Sequence, residues 1–189
     1  ALDPISGKID SSLKILLPRF VEPHAHLDKA FTWGKNPNLD GTYEQALKVN
    51  LLEHETRTKK TVRSRGEQSL ELAVKNGIRA IRSHVDIYDA PVYQSWQALI
   101  DLKKEWASFI DLELVALAPL LFWSSETGKQ FALRIAKEKG LLGSVIVPPF
   151  CTDIIETALR ELLVLANEIG CGIDLHIDES QDHPAEGLT

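Results

Sequence analysis

Apolar, β-branched runs alternate along this chain with amphipathic ones, and that alternation limits the fold more than any other feature. The strand-like runs are Leu13–Val21, Ile78–Val85, Leu112–Ala118, Ser144–Val147 and Gly172–Ile177. Each is short, nearly continuous in apolar character and flanked by polar turns, as strands are when both faces of a parallel sheet are buried. After the first, they start roughly 30 residues apart, the size of one βαβ unit. The βαβα order predicts an α/β fold with a parallel sheet. Five strands suffice for a doubly wound sheet, but a closed eight-stranded barrel needs about 250 residues and this chain has 189.

Helix patterns fill the intervals. Val92, Trp96, Leu99, Ile100 and Trp106 recur at helical spacing, and Ile155, Ala158, Leu162, Leu165, Ala166 and Ile169 do so more cleanly. Asp153 with Glu156 reads as a capping pair and Gly170 as a left-handed stop. Thr127 with Gln130, then Gly140, frame the preceding helix in the same way, and Gly77 closes a helical region over Val62–Asn76. Phe31–Thr42, rich in Gly, Asn and Pro, is the one long non-helical stretch and reads as a functional loop after the first strand.

The charge balance narrows the partners. With 21 basic and 27 acidic residues the formal charge is −6, and no Lys/Arg stripe is available to neutralise phosphates. Arg57–Lys60 and Arg63–Arg65 read as a solvated helix face. Neither nucleic acid nor membrane is expected as a partner: no apolar stretch approaches the roughly 20 residues of a membrane span. Ala1–Asp10 lacks the pattern of a signal peptide, so the expected location is cytoplasmic. Cys151 and Cys171 suit a reduced compartment and have no metal spacing.

The sharpest local signal is Pro23-His24-Ala25-His26 at the end of the first strand. Alternate residues share a strand face, so both imidazoles point the same way, about 7 Å apart along the strand. Such a pair can ligate one cation, although two histidines packed in polar pockets would look the same. The second signal is Leu175-His176-Ile177-Asp178-Glu179 at the end of the fifth strand. His176 is a natural third ligand, and Glu179 can reach over the site as an acid/base group. Three nitrogen ligands and a carboxylate are the equipment for metal-assisted hydrolysis. The equivalent position of the two signals on one sheet favours the metal reading. His84 in Ser83-His84-Val85-Asp86 also ends a strand, as a pocket residue, a support for the ligands or a satisfied core histidine. His54 and His183 read as exposed or structural, and Cys151 as a small buried hydrophobe.

Phe20–Lys29, with its Pro23-His24-Ala25-His26-Leu27-Asp28-Lys29, resembles the first barrel strand of the amidohydrolase superfamily, closest to its cytosine deaminase branch. Ser83–Asp86 resembles that branch's second strand and Asp174–Glu179 its fifth, so the resemblance spans about residues 14–182. It implies a (β/α)8 TIM-type barrel holding one divalent metal ion, Zn²⁺ or Fe²⁺. This chain would supply about the first five βα units over residues 17–189, with residues 1–16 a remnant of a small N-terminal β domain. His24, His26 and His176 match the family's histidine ligands and Glu179 its proton shuttle. The implied reaction is hydrolytic deamination of a small cytosine-like amino-heterocycle. Activated water attacks the ring carbon bearing the amine, Glu179 protonates the neighbouring ring nitrogen, and ammonia leaves. His84, Asp86, Asp28 and Trp123 are candidates for contacting substrate or supporting the ligands.

Where the sequence departs from the family pattern, it refines the expectation. Gly143–Phe150 on the fourth strand offers no bridging lysine or glutamate, which favours one metal. The family's glutamine after strand three is absent from Ala116–Trp123, so Leu120 or Trp123 would shape the pocket for a different or more apolar ring. The family's strand-six histidine and strand-eight aspartate have no counterpart here, so the chain reads as an excerpt from a longer protein. Two alternatives stand beside deamination: hydrolysis of a cyclic amide or triazine by the same chemistry, and a catalytically inert fragment or binding module. An unpaired sheet edge would need another chain to cover it, and a homo-oligomer is one such arrangement.

Overall fold

The computed structural model describes residues 17–87, 93–147, 152–179 and 186–187. Residues 1–16, Cys151 and His183 lie outside them. The elements run β1 (Phe20–Ala25), α1 (Tyr43–His54), α2 (Lys59–Lys75), β2 (Ile78–Asp86), α3 (Tyr93–Glu105), β3 (Asp111–Leu117), α4 (Glu126–Lys137), β4 (Leu141–Ile146), α5 (Asp153–Ile169) and β5 (Gly172–Ile177). All neighbouring strands are parallel, in the order β1-β2-β3-β4-β5. A doubly wound sheet reverses direction at its switch point. Here every crossover steps the same way, as in a barrel.

Contacts across the sheet show that it is curled. Neighbouring strands lie about 4.8 Å apart, so in a flat sheet β1 and β5 would be separated by about 19 Å. Instead His24 Nε2 of β1 lies 3.1 Å from His176 Nε2 of β5. Arg82 on β2 likewise reaches past β3 and β4 to Asp174 on β5, 2.8 Å away. The strands form a trough with the helices on its convex side.

That curvature corrects the expectation of strands apolar on both faces. On β2, Ile81 and Val85 pack outward into the helix layer, while Arg82 and His84 point into the trough and bond Asp174. The core lies between the sheet and helices, built from Leu112 and Leu114 of β3, Leu70 of α2, Trp96, Leu99 and Leu102 of α3, and Phe131 and Ile135 of α4. Gly66 lets α2 approach α3, since a Cβ there would come within 2.6 Å of Leu102 Cδ1.

Helix ends follow local hydrogen-bond chemistry. Thr58 opens α2 with a reciprocal capping box to Thr61. Ser125, rather than Thr127, caps α4, and Thr152, rather than Asp153, caps α5; Asp153 and Glu156 instead place charge in the first turn of α5. Gly77 (φ 80°) and Gly170 (φ 66°) take the left-handed stops, but after α4 the positive φ falls on Lys139 (55°), not on Gly140. The first strand begins at Phe20, later than the apolar run of Leu13–Val21, and so carries His24 within it.

Candidate metal centre and cleft

Three imidazoles meet at the open end of the trough. His24 stands on β1, His26 follows it directly and His176 lies on β5. Their Nε2 atoms are separated by 3.3 Å (His24 to His26) and 3.1 Å (His24 to His176). The 7 Å expected along the strand is closed because the side chains lean together. Nitrogen ligands at 2.0–2.1 Å around a tetrahedral ion stand roughly 3.3 Å apart, so the donor set fits one small divalent cation. Burial lowers the His26 pKa to about 3, with the nearby Lys29 charge adding to the effect, and burial also lowers that of His176. Both rings therefore keep a free lone pair at neutral pH, the form that ligates metal.

His84 lies beneath them, buried and stacked on His24 with ring centroids 4.3 Å apart. Its Nε2 is 3.1 Å from Asp174 Oδ1, and Arg82 holds the other oxygen. Burial opposes ionisation of Asp174, but the His84 hydrogen bond and Arg82 outweigh it and keep the carboxyl below the usual carboxylate range. His84, Asp174 and His176 also lie close enough to form a second donor group. Asp174 is nevertheless committed to Arg82 and His84, which makes this layer a charge-balanced support beneath His24.

Glu179 follows β5 after a single residue, Asp178, whose φ of 62° turns the chain back over the trough. With His26 and His176 it borders a cleft of about 440 Å³, walled by Lys29, Trp33, Tyr43 and Val145. That volume suits a small ligand. Asp28 and Asp86 do not line the cleft. Both are buried, and Arg57 bridges them at 2.9 and 3.4 Å while also binding Glu53. Asp86 in turn grips Lys29 through both oxygens at 3.0 Å and accepts from Asn50. Burial and the Asp86 charge push the Asp28 pKa up to about 6, against the pull of Arg57 and Lys29. Trp123 is also absent from the cleft: it is 1% exposed, and its indole N–H donates to the Gly143 carbonyl. It therefore packs in the core rather than shaping a substrate pocket.

Tyr43, Asn50 and Arg57 had no functional signal in the sequence, and Lys29 and Asp174 stood there only as parts of the quoted motifs, with no role assigned. Arg57 reads as part of a solvated basic run, yet its side chain is 2% exposed. Only the fold brings two aspartates and a glutamate around it.

No family model matches the chain. Among curated proteins it is 33% identical to a pterin deaminase of Rhizobium rhizogenes over 179 residues, 93% of this chain and 40% of that protein. It is 25% identical to an N-isopropylammelide isopropyl amidohydrolase of Pseudomonas sp. (strain ADP) over 186 residues, 93% of this chain and 45% of that protein. Among solved structures, 5-methylcytosine deaminase from Klebsiella pneumoniae liganded with 5-fluorocytosine superposes with a TM-score of 0.77 at 29% identity, covering 90% of this chain and 42% of that one. The chain thus spans less than half the length of these relatives, and its five strands make up part of a (β/α)8 barrel.

Proposed function

Because the chain belongs to the amidohydrolase superfamily, we propose that it carries the histidine donors and the proton carrier of a metal-dependent hydrolase that deaminates a cytosine-like amino-heterocycle. The observation that carries this reading is the convergence of His24, His26 and His176 beside Glu179 at one end of a small cleft. Deaminases of a pterin and of 5-methylcytosine among the relatives support the same class of substrate.

In this reading His24, His26 and His176 hold one divalent ion, and three imidazoles suit Zn²⁺ or Fe²⁺. When bound, the ion supplies Lewis-acid activation of water near neutral pH. Glu179 takes a proton from the attacking water and delivers one to the ring nitrogen beside the reacting carbon. The carbon–oxygen bond forms; Glu179 then carries the remaining hydroxyl proton to the exocyclic amine, the carbon–nitrogen bond breaks as the carbonyl forms, and ammonia leaves. Lys29 lines the same cleft and offers an N–H donor to a ring's polar edge. Asp28, Asp86 and Arg57 act from beneath by fixing Lys29, and Asp174 fixes His84 under His24. No helix among the described residues is long and apolar enough to cross a membrane.

The isopropylammelide amidohydrolase relative favours a second reading, release of an alkylamine from an N-substituted aminotriazine by the same chemistry. The test is a substrate panel on the whole protein, loaded with Zn²⁺ or Fe²⁺: pterin, cytosine, 5-methylcytosine and N-alkyl aminotriazines. Ammonia release from the amino-heterocycles is expected. Amine release confined to the triazines selects the second reading, and no turnover across the panel overturns both.

A further inference from the structure

The loop from Phe31 to Thr42 carries no part of the donor set, yet it is built to deliver one residue. Asn38 Nδ2 donates to the Thr42 carbonyl at 2.9 Å, and Asn38 Oδ1 accepts from the Gly41 N–H at 3.0 Å. Gly41 supplies the left-handed φ of 69° that this turn requires. The Thr42 hydroxyl then caps α1 by accepting from the Gln45 N–H. Together these bonds fix the start of α1, and the first residue of that helix is Tyr43.

Tyr43 leans into the cleft, and its hydroxyl donates to Glu179 Oε2 across 3.2 Å, joining residues 136 apart in sequence. Burial and the Glu179 charge both raise the Tyr43 pKa, so the phenol stays a donor throughout the neutral range. The contact is longer than an ordinary O–H···O bond. Hydrogen bonds of this kind are often long in a free site and tighten when substrate closes it. Glu179 needs such a restraint. It is an exposed side chain on a short turn after β5, with several rotamers open to it. Its own turn is pinned from the other side, where Asp178 Oδ1 accepts from the Gly187 N–H at 2.8 Å.

We propose that Tyr43 is a positioning residue, which holds Oε2 of Glu179 so that Oε1 faces the cleft and exchanges protons with water and ring. This rests on the reading of Glu179 as the proton carrier. Tyr43 does not itself transfer a proton. Its effect reaches the reaction only through the angle and rotamer of Glu179.

The experiment uses the whole protein with metal and an amino-heterocycle that it deaminates, and compares Tyr43→Phe, Glu179→Gln and the double variant. Tyr43→Phe should keep its metal content and melting temperature. It should lower kcat by about 10- to 100-fold with KM within about twofold, the scale of a misplaced acid/base group. The double variant should be no slower than Glu179→Gln alone, because the tyrosine has nothing left to position. An undiminished kcat in Tyr43→Phe, a loss confined to KM, or losses that multiply in the double variant each overturn the proposal. If Glu179→Gln itself turns over normally, the reading of Glu179 fails and the proposal falls with it. If Glu179→Gln is inactive while Tyr43→Phe is not, only the role of Tyr43 fails.

Discussion

Two histidine signals and one glutamate in the sequence name every group that the proposed chemistry needs from this chain. His24 and His26 were legible because strand periodicity puts alternate residues on one face. His176 was legible because it ends a second strand at the same level. The groups around them were not, because no local spacing links Tyr43 to Glu179 or Asp174 to His84. At this scale the first expectation is that a His24→Ala, His26→Ala double variant loses its stoichiometric metal. Elemental analysis of the purified whole protein decides it, and full metal content in that variant would rule the donor set out. Glu179→Gln should instead keep the metal and lose turnover by about 10²-fold or more, the usual effect of removing a general acid/base. Steady-state kinetics beside a metal assay separates the two cases.

Elements were easier to place than their faces. The spans of β2, β3 and β5 fell within a residue or so of expectation, since their apolar runs are bounded by turn residues. What apolar runs conceal is that a curled sheet has two unlike faces. Arg82, Glu113 and Asp174 pair on the concave side, and Arg57 does the same between α1 and the end of β2. Read singly, each charge looks solvated; their pairing depends on strands and helices far apart in sequence. Arg57, in the link between α1 and α2, ties α1 to β2 and to the turn after β1 by binding Glu53, Asp86 and Asp28 together. Removing one member of a buried ionic set leaves the others without compensation. Arg57→Leu should therefore destabilise the protein by about 3–5 kcal/mol, read as a lower urea midpoint. The carboxylates left behind would also loosen Lys29 at the cleft wall. Wild-type stability in Arg57→Leu would show that the network contributes nothing.

At the scale of the molecule, the trough has two sheet edges and a concave polar face, and both bear on what these residues can do alone. β1 is an edge strand on which Phe20 and Val21 are 60% and 64% exposed. Unpaired backbone N–H and C=O groups beside exposed apolar side chains are a template for association. α5 adds Ile154, Leu163 and Val164 on its outer surface, each more than half exposed. The donor set is also electrically incomplete for a divalent ion: three neutral imidazoles carry no charge to offset it, and His24 lies open to solvent. Among the described residues the cleft is lined by the strand ends around His26, His176, Leu117 and Val145, by Glu179, by the loop from Phe31 to Thr42 and by α1, which leaves water access to any ring bound there. The relatives are more than twice as long as the stretch they share with this chain, and in a barrel the substrate is walled by loops from all eight units. Residues 1–189 expressed by themselves should thus associate or precipitate, and should release no measurable ammonia from cytosine or pterin when Zn²⁺ or Fe²⁺ is added. Light scattering coupled to size exclusion reports the first property and an ammonia assay the second. A monodisperse species of 21.1 kDa with robust turnover would mean that five βα units alone build a sufficient site. The need for the remaining barrel would then have to be abandoned.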